Sequence, residues 1–198
     1  MRRDYYKKIK IFMSSPASFM VSFIWGFAEA TLFFLIPDIY LGAAALFSPI
    51  YGLWNCVFSI IGAMLGGSIM YLMAHKAPQA MLGLMAKIPG ISEAMVMRVG
   101  DNYQAHGLSA IFLAPWDGIP YKIYAVQAGV LGIDYPAFLI ATVPARLERF
   151  LVVVLIAALL GATFKGNISK NTGRWIMAYM LFWAIGYTFY IISLAGGK

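Results

Sequence analysis

The chain has 198 residues, 62% of them hydrophobic and only 12% charged, with a net charge of +7. Soluble domains run at roughly 45–50% apolar and about 25% charged. A mean hydropathy of +0.77 leaves too little polar surface to keep such a chain in water. The composition excludes a soluble enzyme or a nucleic-acid binder and predicts an all-α integral membrane protein of one domain, residues 1–198.

The positions of the charges point the same way. Arg2, Arg3, Lys7, Lys8 and Lys10 crowd the start, and Lys165, Lys170 and Arg174 crowd one short loop. Basic residues at the edges of apolar spans mark the inner face and attract anionic headgroups. Cys56 is the lone cysteine, and His75 and His106 lie 31 residues apart. No intrachain disulfide can form, and neither a metal site nor a cofactor is expected.

Taken in chain order, the basic start and the apolar run from Ile11 to Phe27 resemble a cleaved leader, but the chain stays apolar beyond Ala30. A membrane segment is therefore expected there. Residues 17–48 are apolar yet hold Glu29, Pro37 and Asp38, which breaks them into a re-entrant hairpin. The uncharged run from Ile39 to Ala74 is 36 residues, too long for one crossing of about 20. Pro49 and Gly52 divide it, leaving a span at 50–74. In that span Gly62 and Gly66 form a small-xxx-small pair that admits another helix closely.

Residues 76–107 mix charges with Met81, Leu84, Met85, Ile88, Met95 and Val96, and read as interfacial amphipathic helices split at Pro89-Gly90. Residues 108–134 hold Pro115, Asp117, Gly118, Pro120 and Lys122, and predict a second re-entrant hairpin. Spans follow at Pro136–Phe164 and Trp175–Gly197. The two hairpins echo each other, Phe34-Leu35-Ile36-Pro37 against Phe112-Leu113-Ala114-Pro115. With the basic segments inside, they enter from opposite faces. The expected architecture is an inverted repeat, 17–74 and 108–164, with a C-terminal transmembrane helix.

Seven ionisable residues fall at or beside membrane depth: Glu29, Asp38, Asp117, Lys122, Arg146, Glu148 and Arg149. At roughly 2.5–3.5 kcal/mol each near the bilayer centre, isolated placement would cost on the order of 20 kcal/mol. They must pair with one another or line water. Arg146 and Arg149, three apart, share a helix side, whereas Glu148 points elsewhere. Asp117 fits a turn cap and Lys122 a snorkelling residue. The set reads as a structural salt-bridge cluster or as an anion site with protonatable acids.

Four segments resemble the DedA family, also called the VTT or SNARE-associated Golgi domain. They are Glu29 with Phe33-Phe34-Leu35-Ile36-Pro37-Asp38; Gly62 to Gly67 through Tyr71; Phe112 to Gly129, ending Val126-Gln127-Ala128-Gly129; and Phe138 through Arg146 and Arg149-Phe150. The resemblance covers residues 17–162. The chain departs from it where the family's second hairpin carries two arginines, for Pro115 and Tyr121 stand at those positions. The resemblance implies a multi-pass cell-membrane lipid flippase or scramblase for a polyprenyl phosphate or phospholipid, and not an enzyme. Glu29 and Asp38 would be the proton-coupled acids, and Asp117 would join them in the substrate- and proton-binding set. Arg146 and Arg149, with Lys122, would hold the phosphate. Membrane lipids are the expected partners, and proton coupling and a homo-oligomer stay open. A proton-coupled antiporter for ions or drugs and a non-transporting scaffold are the alternatives.

Overall fold

The computed structural model describes residues 2–196. Helices and their connections make up all of it, with no strand among the described residues. Helix α1 (Arg2–Met13) meets α2 (Pro16–Ala30) at a 60° bend. Ser15 caps α2 by accepting the Ser18 N–H, and Pro16 occupies the first turn, where its missing donor costs nothing. A non-helical break at residues 31–37 leads into α3 (Asp38–Phe47), and Pro49 then opens α4 (Pro49–Lys76). Helices α5 (Pro78–Met85) and α6 (Glu93–His106) flank Pro89-Gly90. A 3₁₀ helix (Gly107–Leu113) and a second break at 114–120 precede α7 (Tyr121–Val130). The chain closes with α8 (Tyr135–Thr163), α9 (Lys165–Lys170) and α10 (Thr172–Gly196).

Two helices are long and apolar enough to cross a membrane, Pro49–Lys76 and Thr172–Ile192, and three if the bent pair α1–α2 is one span. Helix α8 matches α4 in length, 29 residues against 28, and Arg146, Glu148 and Arg149 interrupt its apolar run. Gly197, the last residue of the predicted C-terminal span, lies outside the described residues. The basic loop predicted at 165–174 is the short helix α9 followed by the first turn of α10. Helix α1, which the sequence presented only as a cluster of charge, turns Tyr6, Ile9 and Met13 onto Phe47 and Ile168, while Lys7, Lys8 and Lys10 stay exposed.

Small residues set the central packing. Helices α2 and α4 cross where Gly26 meets the Ser59 backbone and Gly62 meets the Phe23 carbonyl, so a methyl group at either would strike backbone. Gly66 lies against Phe27 on the same face. The apolar side chains of 78–106 find protein: Met81, Met85, Val96 and Val99 are buried in one core with Ile123, Tyr124 and Val126 of α7. That core covers the faces expected to rest on the lipid interface.

The long and short helices pack crosswise. The ten-residue α3 lies on α8, and the ten-residue α7 lies on α4. Each break therefore leads into a short helix seated on a long helix distant in the chain.

Candidate functional site

The site is built around the first break. Glu29 lies in the last turn of α2, just before it, and Asp38 in the first turn of α3, just after it. Both arginines come from the middle of α8. Arg146 contacts Glu29 at 2.6 Å with both side chains buried, and Arg149 contacts Asp38 at 3.0 Å with Arg149 still 23% exposed. Arg149 Nε also donates to Asp38 Oδ1 at 3.3 Å. Thus two arginines one turn apart fasten the two sides of one break.

Arg146 is held on three sides. Its guanidinium carbon lies 5.0 Å from the ring centre of Tyr121 and 4.7 Å from that of Phe150. Such cation–π contacts gain strength when desolvated. The Tyr121 hydroxyl in turn bonds Thr142 at 2.9 Å, fixing the ring. Arg146 Nε is buried without a hydrogen-bond partner among the described residues. Beside it, Ala114, Pro115, Tyr121, Arg146 and Arg149 line a cavity of about 10 Å³, room for one water molecule.

Lys122 does not snorkel. It is 2% exposed, and its Nζ donates to the Phe33 carbonyl at 2.6 Å. The reason is geometric: Phe33 lies in the non-helical break, where a bare carbonyl needs a donor. Two other side chains serve the same stretch. Trp25 Nε1 donates to the Leu35 carbonyl at 3.0 Å, and the Ile36 N–H donates to the Tyr187 hydroxyl at 2.8 Å. Tyr179 adds a bond to the Ile39 carbonyl at 2.8 Å.

Asp117 stands apart from this group, as a turn cap. It accepts the Ile119 N–H at 2.9 Å and the Tyr124 hydroxyl at 2.5 Å, beside Gly118 at φ +71°. Glu148 also stands apart, accepting the Trp116 indole N–H at 2.8 Å. Of the seven predicted charges, four form the two ion pairs and Lys122 joins them at the break. Asp117 and Glu148 brace the second break instead.

Sequence reasoning missed the polar residues that hold these parts. Ser18 and Ser22 both donate to Asn55 Oδ1, at 3.1 and 2.6 Å, pinning α2 to α4. Tyr179 and Tyr187 belong to a half-buried stripe with Trp175 and Trp183, one aromatic at every fourth position of α10. That spacing was the available signal. His75 stacks on Tyr71 and reaches the Gly129 carbonyl at 3.3 Å, and no group of three or more His, Cys, Asp or Glu among the described residues could hold a metal ion.

No family model and no solved structure matches the chain. It is similar to an uncharacterised protein of Haemophilus influenzae, 28% identical over 155 residues, which are 78% of this chain and 79% of that one. It is also similar to an uncharacterised protein of Histophilus somni, 32% identical over 69 residues, 35% of this chain and 36% of that one.

Proposed function

We propose that the chain is a lipid transporter of the DedA kind, a flippase or scramblase that moves a phosphate-bearing lipid between the leaflets of the cell membrane. One observation carries the reading. Three cations, Arg146, Arg149 and Lys122, meet two carboxylates, Glu29 and Asp38, at a break in an apolar segment. With all five ionised the group carries one positive charge in excess. A phosphate headgroup supplies the missing anion, and guanidinium groups match its oxygens in a bidentate fork.

The architecture that serves this function is a pair of re-entrant hairpins entering from opposite faces, each followed by a spanning helix, with α10 as a further crossing. The crosswise seating of α3 on α8 and α7 on α4 supports it. So do the matched lengths of the two short and the two long helices. Interrupted apolar segments in corresponding positions of two halves are where transporters place their substrate.

The cavity of about 10 Å³ is too small for a headgroup, so transfer would require the site to open. Arg149 opens the site, because it is the partly exposed member and holds Asp38 at the edge of the cluster. Transfer requires Arg149 to leave Asp38 for the lipid phosphate, and a proton taken up by Asp38 would release it. The tails remain in lipid, beside the exposed Leu32 and Phe34 of the break.

Leaflet exchange in liposomes tests the reading. Wild type should exchange a labelled phospholipid or polyprenyl phosphate without ion flux, and Glu29→Gln should slow it at least tenfold. Ion flux without lipid exchange would favour the antiporter instead. The scaffold reading draws on the full burial of the Glu29–Arg146 pair, and predicts loss of yield with no transport to lose.

A further inference from the structure

The geometry points to a separate seat for one anionic membrane lipid between α1, α3 and α10, its acyl chain in an apolar cavity and its headgroup on Lys8. The cavity measures about 480 Å³ and is lined by Lys8, Phe12, Ala43, Leu46, Ile176 and Met180 among others. That volume lies within the range of about 300–1,000 Å³ typical of built ligand sites. Its wall also includes Trp25, Tyr40 and Tyr179, whose polar atoms are engaged elsewhere. Trp25 donates to the Leu35 carbonyl, the Tyr40 hydroxyl bonds Ser18 at 2.8 Å, and Tyr179 donates to the Ile39 carbonyl. The cavity thus presents hydrocarbon to its occupant, and only hydrocarbon fills it without stranding a polar group.

Charge selects the class of occupant. Lys8 is the one charged residue of the lining, and Asp4, one turn before it, is the single acid of α1 against five basic residues. Exposed Lys7 and Lys10 flank it on α1, and α9, packed against α1, adds exposed Lys165 and Lys170. A long apolar slot with a basic edge matches a phospholipid that bears a net negative charge. Neutral lipids fill the slot without using the edge. The seat shares no lining residue with the small cavity beside Arg146 and Arg149. It therefore stands or falls independently of the transport reading.

Native mass spectrometry of the full chain in detergent micelles tests it, with dioleoylphosphatidylglycerol as the probe and dioleoylphosphatidylcholine as the neutral control. Wild type should retain one phosphatidylglycerol in preference to phosphatidylcholine. Lys8→Glu should weaken that binding about fivefold or more, from the surface attraction of one lysine. Met180→Trp, on an exposed position of the rim, should plug the slot and reduce binding to background with the helical circular dichroism unchanged. Arg149→Gln should leave the retained lipid in place, whatever it does to exchange. Equal retention of the two lipids, or binding that survives either Lys8→Glu or Met180→Trp, overturns the seat. A concentration-dependent dimer that Met180→Trp abolishes would assign the slot to a second copy and overturn it as well.

Discussion

Glu29 sits at the end of α2, where unpaired carbonyls carry partial negative charge, so its carboxylate depends on Arg146. Asp38 sits at the start of α3, where free N–H groups favour an anion. The two pairs therefore differ in their consequences when broken. Arg146→Leu strands a fully buried carboxylate and should cost about 3–5 kcal/mol. Arg149→Gln leaves Asp38 buried, but at a favourable helix end and within reach of the glutamine amide, and should cost roughly 1.5–3 kcal/mol. Thermal melts of the purified protein in one detergent would order them, and equal losses would refute the distinction. The double variant Glu29→Leu with Arg146→Met should recover most of the loss, since a buried pair is replaceable by packed hydrocarbon. The seven charges were legible in the sequence because hydrocarbon has no use for them. Their partners were not, because the pairs join residues 117 and 111 apart in the chain, and periodicity carries no information across that distance.

At the scale of elements, the breaks were legible and their repair was not. Pro37 and the cluster of Pro115, Gly118 and Pro120 announce non-helical backbone. Nothing local announces that Lys122, Trp25 and Tyr187 supply its hydrogen bonds from three other helices. Lys122→Met should orphan the Phe33 carbonyl, destabilise by about 1–3 kcal/mol and speed amide exchange across residues 31–37. Unchanged exchange there would show that the carbonyl has another donor. Helix α1 is not legible in the sequence because its lysines read as a topology signal and mask the apolar stripe of Tyr6, Ile9 and Met13. The glycine pair Gly62 and Gly66 was legible as a close-packing site, and α2 is what approaches it. Gly62→Ala should push α2 off α4 and cost about 1–3 kcal/mol, measurable as a lowered melting midpoint.

For the whole molecule, composition gave the solvent and the echo between two apolar segments suggested two halves. The packing of α3 on α8 and of α7 on α4 is tertiary, since α3 and α8 lie about a hundred residues apart in the chain. If the hairpins enter from opposite faces, their exposed tips differ in access. In a Cys56→Ser background, Phe34→Cys and Trp116→Cys should react with an impermeant maleimide from opposite sides of sealed vesicles. Both side chains are more than half exposed, so labelling from the same side would refute the inverted arrangement.

The central claim is that the charges at the first break carry a headgroup rather than merely hold helices together. The deciding measurement is leaflet exchange of a fluorescent anionic phospholipid in liposomes holding equal amounts of folded wild type, Arg149→Gln and the Glu29→Leu, Arg146→Met double variant. The account predicts exchange by wild type, and a loss of at least tenfold in both variants even where the double variant melts as wild type does. Exchange by the stable double variant at the wild-type rate would contradict it and leave the ion pairs a structural role alone.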